Sequence, residues 1–287
     1  DFSKIQNHLT ILGNEGLRLV VFLEDKSFRS NSPSPVPAYL DVAPYVLPNI
    51  PGGKSTVRWN PVVKAHFKAL ITALGNSIDS NPALEGFAFP ESATGLTNAV
   101  VDANGYTPEL YRDTLIETLK TAATSFPNSQ IFWYMNYLQE NQTYIADIAT
   151  ALIPYGISMG GPDVLPEDST LVRLTYPFYN SFNGKMKLFG SMQYDSYAEI
   201  HSDTIHYATT YWTMGEMFLY ARDNLHVNYI FWTRVLGAGT AGSYTLNSAA
   251  PVIRTNPTFN PTMGTPVVPP KFILNQQVKT TNSSNVR

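Results

Sequence analysis

The feature that most limits what this chain can fold into is an alternation. Short, nearly unbroken apolar runs recur at Leu17–Leu23, Gly86–Phe89, Gln130–Met135, Gly156–Met159, Met186–Met192 and Val227–Phe231. Between most of them lie stretches whose apolar residues return at helical spacing. One such stretch opens at Asn60-Pro61, an N-capping residue followed by proline in the first turn, and keeps Val63, Phe67, Leu70 and Leu74 on one face. Further helices are expected over Ser3–Leu12, Pro108–Ser125, Asn141–Ile153 and Thr204–Asn224. The segment Leu171–Gly184 reads as an aromatic loop.

Continuous apolar runs mark strands buried on both faces, and strands alternating with helices build parallel sheets. The expected fold class is therefore α/β, a (β/α)8 barrel of the TIM type. Such a barrel opens on a strand, whereas this chain opens on a helix. Its first strand is accordingly expected upstream of Asp1, where additional domains could also lie. A further short strand is expected near Pro37–Leu40 or Thr56–Trp59. Residues 1–237 are assigned to the barrel. Residues 238–287, rich in Gly, Pro, Asn and Thr and without an acidic side chain, are expected to wrap it and end as a linker, with one last helix near Asn247–Ile253.

Composition narrows the partners. Only 14% of the 287 residues are charged, the net charge is -3, and no basic stripe is present, which argues against nucleic acid. Aromatics reach 13%, with 17 Tyr, a surface suited to stacking on and hydrogen-bonding neutral polar ligands such as sugars. The absence of cysteine rules out disulfides, thiolate catalysis and Cys-held metals, and is compatible with a secreted or periplasmic protein. No apolar run is long enough for a membrane span. The five His lack metal-ligand spacing, and no metal or cofactor is expected.

In a parallel barrel the loops after the strands converge on one face. Here they bring Glu24 and Asp25, Glu91, Asn136 and Tyr137, Asp163, then Gln193, Tyr194 and Asp195, and finally Trp232 and Arg234. Two carboxylates facing one another across a cleft with Tyr, Trp and Asn are the parts for cleaving a glycosidic bond. Glu91, delivered by the Gly86–Phe89 strand through Pro90, is expected to be the acid/base, with Asp195 and then Asp163 as its partner. Glu24, Asp25, Asn136, Tyr137, Gln193, Tyr194, Trp232 and Arg234 are expected to bind the carbohydrate.

Two textual matches compete. Gly156-Ile157-Ser158-Met159-Gly160 fits the G-x-S-x-G elbow of esterases, which would need a helix straight after Ser158 and a His such as His206 or His226. Gly237 to Gly242 fits G-x-G-x-x-G, but no acidic residue follows at the spacing a dinucleotide site requires.

The element order, Glu91 at a strand end and Trp232 at the last strand together resemble the clan A glycoside hydrolases, the (β/α)8 group that contains many cellulases and β-galactosidases. The resemblance spans about Leu17–Gly237. It implies that Glu91 ends the fourth strand and acts as acid/base, although in that clan this Glu follows Asn and here it follows Pro90. It also implies a nucleophilic Glu at the end of the seventh strand, where this chain reads Ser191-Met192-Gln193-Tyr194-Asp195. Either Asp195 substitutes, or the enzyme inverts through another acid, or the barrel only binds carbohydrate.

Overall fold

The protein is described here by a computed structural model, which covers residues 1–30, 32–50, 52–138, 142–161, 163–200, 211–233 and 246–256. The chain begins with α1 (Ser3–Asn14) and β1 (Leu19–Phe22), followed by three short strands, β2 (Lys26–Ser27), β3 (Val46–Pro48) and β4 (Lys54–Thr56). Next come α2 (Pro61–Ile78), β5 (Leu84–Phe89), α3 (Asn98–Ala103), α4 (Pro108–Ser125), β6 (Gln130–Tyr134), α5 (Tyr144–Leu152) and β7 (Ser158–Gly160). The described chain continues through α6 (Ser169–Leu174), α7 (Tyr176–Phe182), β8 (Leu188–Met192), α8 (Tyr194–Tyr197), α9 (Met214–Leu219), β9 (Tyr229–Trp232) and α10 (Leu246–Thr255).

The six apolar runs of the sequence form one six-stranded sheet in the order β1-β5-β6-β7-β8-β9, with every pairing parallel. Strand order follows chain order, so each βα unit adds its strand beside the previous one. The sheet curls into a half-barrel, an incomplete TIM-like barrel. Because β1 pairs directly with β5, the extra strand expected between them is not in this sheet. Instead β2, β4 and β3 make a separate antiparallel sheet, and Ala38–Leu40 is a single 3-10 turn.

Alternation along the strands sorts two cores. Phe87, Phe89, Ile131, Trp133, Met159, Leu188 and Met192 face the helices, where α2, α4 and α5 pack side by side. Ala88, Phe132, Tyr134 and Phe189 form the concave cluster, with Val20, Tyr229 and Phe231 against it. Phe132 meets Phe189, Tyr229 and Phe231 with centroids at 5.4, 5.1 and 5.2 Å, all edge to face. Glycine makes this possible at two points, since a Cβ on Gly86 would lie 2.8 Å from the Phe132 ring and one on Gly160 2.5 Å from that of Phe189. At β5 the register slips: Leu19 faces Leu84 but Val20 faces Gly86, so Glu85 is a bulge. Its carboxylate meets Arg18 at 2.7 Å at the N-terminal end of the sheet.

Helix starts follow the caps visible in the sequence. Asn60 accepts from the Val62 N–H at 2.9 Å, and Thr107 accepts from Leu110 at 3.1 Å, each ahead of a proline in the first turn. The aromatic segment expected to be a loop instead forms α6 and α7. Asp168 caps α6, and Tyr176, Tyr179 and Phe182, at helical spacing, bury one face of α7. α10 lies where the last helix was expected and packs on α9.

Candidate active site

The segment after β5 is held by side chains at nearly every carbonyl. The Glu91 carbonyl accepts from Lys26 Nζ and from an Arg58 guanidinium nitrogen, both at 2.8 Å. The Ser92 carbonyl accepts from Tyr111 Oη at 2.7 Å, that of Ala93 from Lys26 Nζ, and that of Thr94 from Ser55 Oγ at 2.6 Å. Below, the Ser92 N–H donates to the Tyr134 carbonyl at 3.1 Å and Ser92 Oγ accepts from the Asn136 N–H at 2.8 Å. Two helix- or insert-borne cations and two hydroxyls thus fix the loop that presents Glu91. Preorganisation of this kind is what a reacting carboxylate needs.

Asp25 belongs to that scaffold. Its two oxygens take two guanidinium nitrogens of Arg58 at 2.6 Å each, and one also accepts from Thr56. The residue is only 2% exposed. Arg58 holds its carboxyl below the usual carboxylate range against the opposing effect of burial. Both oxygens of Asp25, expected to bind the carbohydrate, are engaged by the buried pair.

Glu91 itself is half-buried and presents both oxygens to donors. Asn136 Nδ2 donates to Oε2 at 2.7 Å, and Lys26 Nζ stands 3.5 Å from Oε1. Asn136 is buried, and its Oδ1 has no hydrogen-bond partner among the described residues. Asp163 follows β7 and is half-buried in a contrasting way. Among the described residues no donor reaches its carboxylate; only its carbonyl is bonded, by Tyr176 Oη at 3.1 Å. Burial first, then the charges of Asp195, Glu91 and Asp168, push its carboxyl up to about 7. Glu24 is raised as well, chiefly by burial and by Asp25, with Glu91 adding and Lys26 opposing. Tyr134 bonds Ser191 across the barrel mouth at 2.8 Å, and burial together with Asp163 and Glu91 raises its phenol to about 12. Tyr137 is raised by burial and by Asp168, Asp163 and Glu91. These mutual influences show that Glu24, Glu91, Asp163, Asp195, Tyr134 and Tyr137 lie near one another past the C-terminal ends of the strands.

The remaining expectations divide. Gln193 caps the short α8 through a reciprocal bond pair with Ser196, and Tyr194 and Asp195 begin that helix, Tyr194 at 52% exposure. Asp195 contributes its charge to Asp163 from the surface. Trp232 is partly buried and packs against the helix-side core, on the face of β9 opposite Phe231. Arg234, like His206 and the Gly237–Gly242 run, lies outside the described residues. Ser158 is the first residue of β7, fully buried, with Oγ unpartnered, and no helix begins until Ser169. That removes the esterase elbow; His226 pairs instead with Asn180 at 3.0 Å. Among the described residues no three His, Asp or Glu side chains stand close enough to hold a metal ion.

Lys26, Arg58, Ser92, Tyr111 and Tyr134 were not singled out by the sequence. The only available signal was a Lys directly after two strand-end acids, and an Arg between apolar residues just ahead of a capped helix.

No protein-family model matches the sequence, and no curated protein matches it. Among solved structures the chain is distantly similar to a beta-galactosidase from Rahnella sp. R3, with a TM-score of 0.49 and 11% identity over 83% of this chain and 44% of that one. A second, described as a glycoside hydrolase, gives a TM-score of 0.39 and 9% identity over 70% of this chain and 69% of that one. The chain thus spans less than half the length of the first of these.

Proposed function

We propose that this protein is a glycoside hydrolase acting on an oligosaccharide or polysaccharide, with Asp163 as the protonating acid and Glu91 as the base or nucleophile. The observation that carries this reading is the contrast between two carboxyls at the same barrel mouth. Asp163 is desolvated, faces other acids and holds its proton up to about pH 7, as a general acid must. Glu91 is held by an amide and an ammonium, so it faces the cleft as an acceptor. An acid that keeps its proton and a neighbouring carboxylate fixed by donors can divide acid and base work. The roles are the reverse of those the sequence favoured. In this reading Tyr137 meets sugar hydroxyls while Asn136 holds Glu91, and the low charge of the chain suits a neutral polysaccharide met outside the cytoplasm.

The test is hydrolysis of a panel of aryl glycosides and unmodified oligosaccharides by the wild type, D163N and E91Q. Each variant is expected to lose roughly 100- to 10,000-fold in kcat. Wild-type activity is expected to fall as pH rises through about 7, where Asp163 gives up its proton. The anomer of the first product, read by NMR, reports the carboxyl separation: about 5–5.5 Å gives retention and about 6.5–9.5 Å inversion. One observation favours a second reading, a barrel that binds carbohydrate without cleaving it. Gln193 stands where the resemblance implies a carboxylate nucleophile. Oligosaccharide binding that survives E91Q, with no wild-type hydrolysis of any substrate, would establish that reading instead.

A further inference from the structure

Lys26 opens β2, and its side chain is 7% exposed. Its ammonium has three N–H donors. Two go to the carbonyls of Glu91 and Ala93, and the nitrogen also lies 3.5 Å from Glu91 Oε1. The other carboxylate oxygen is taken by Asn136. One cation therefore grips both the backbone of the loop and the carboxylate the loop carries, a double hold that a purely structural lysine would not require.

We propose that Lys26 is a positioning residue for Glu91, its ammonium fixing the direction in which the carboxylate faces the cleft. The functional meaning of this role rests on the hydrolase reading above; the contact itself does not. The charged groups that face Lys26 are Glu24 and Asp25 beside it, Arg58 ahead of α2, and Glu91 beyond β5. Burial and Arg58 push the amine down to about 8, while Glu91 and Asp25 hold it up. At neutral pH the amine is charged, and Glu91 helps to keep it so.

The experiment has two arms. In the first, lysine 13Cε resonances are titrated in the wild type and in E91Q, with Lys26 assigned by its loss in K26R. A Lys26 midpoint near 8 that moves lower in E91Q is expected; an unmoved midpoint overturns the proposal whatever the protein hydrolyses. In the second, K26M and K26R are compared on the substrate that the wild type cleaves best. K26M is expected to lose about 10- to 100-fold in kcat with little change in KM, and K26R to recover most of it. Equal kcat in K26M and wild type overturns the proposal. If the wild type cleaves nothing, the hydrolase reading fails and the first arm alone decides the role of Lys26.

Discussion

The two ends of the parallel sheet treat charge in opposite ways. At the N-terminal end every charged side chain that the strands bring in has a partner: Arg18 meets Glu85 at 2.7 Å, and Lys187 donates to Gln130 at 2.8 Å, which in turn donates to the Gly156 carbonyl. At the C-terminal end Asp163 is half-buried, has no donor on its carboxylate among the described residues, and is surrounded by other acids. Both ends grow from the same strands with the same apolar middle. Partnered charge contributes modest stability, whereas desolvated, unpartnered charge costs stability and stores reactivity. The contrast therefore separates the part of the molecule that holds the fold from the part available for chemistry.

The sharpest way to break this comparison lies at its boundary, the buried Asp25–Arg58 pair under the rim. R58M leaves Asp25 ionised and unpaired in the interior and is expected to cost about 3–5 kcal/mol at neutral pH, measured by chemical denaturation. Because Arg58 depresses the Asp25 pKa in the folded state, the pair's contribution is present above the unfolded carboxylate value and is lost as pH falls through the folded one. The R58M deficit should accordingly shrink in acid.

D163N should act in the opposite direction. The Asp163 pKa is raised on folding, so its penalty is absent below about pH 4, grows as pH rises, and is complete above about 7. At pH 8 the variant is expected to be more stable than the wild type, by up to about 4 kcal/mol at roughly 1.4 kcal/mol per pKa unit. A destabilised D163N at that pH would show that the rim carboxyl is structural and would dissolve the contrast. The smallest effect belongs to the floor. E85Q breaks a partly exposed ion pair and is expected to cost no more than about 1 kcal/mol, measured by chemical denaturation.

Much of the scaffold was legible because its physics is periodic. A strand buried on both faces must be an unbroken apolar run, and all six runs became strands of the one parallel sheet. Asn60-Pro61 and Thr107-Pro108 announce helix starts because capping chemistry is local. The β2–β4 sheet was not legible as such, since strands of two or three residues have no period to detect. α7 was missed because Pro177 and a run of aromatics read as loop, although Pro in the first turn of a helix is well tolerated. Glu91, Asn136 and Asp163 were visible as strand-end polar residues. Lys26 and Arg58 were not, because their importance comes from reaching across sequence gaps of 65 and 33 residues to the Glu91 carbonyl.

The bulge at Glu85 gives the alternation along β5 its parity. Leu84 and Phe89 both reach the helix-side core, yet they are separated by an odd number of positions, which strict two-residue alternation forbids. The inserted residue absorbs the mismatch. Its deletion would advance the phase of everything that follows: Ala88 would turn toward the helices, Phe89 into the barrel, and the approach to Glu91 would rotate with them. A single residue at the foot of β5 thus acts as a counting device that decides which way the strand's far end faces.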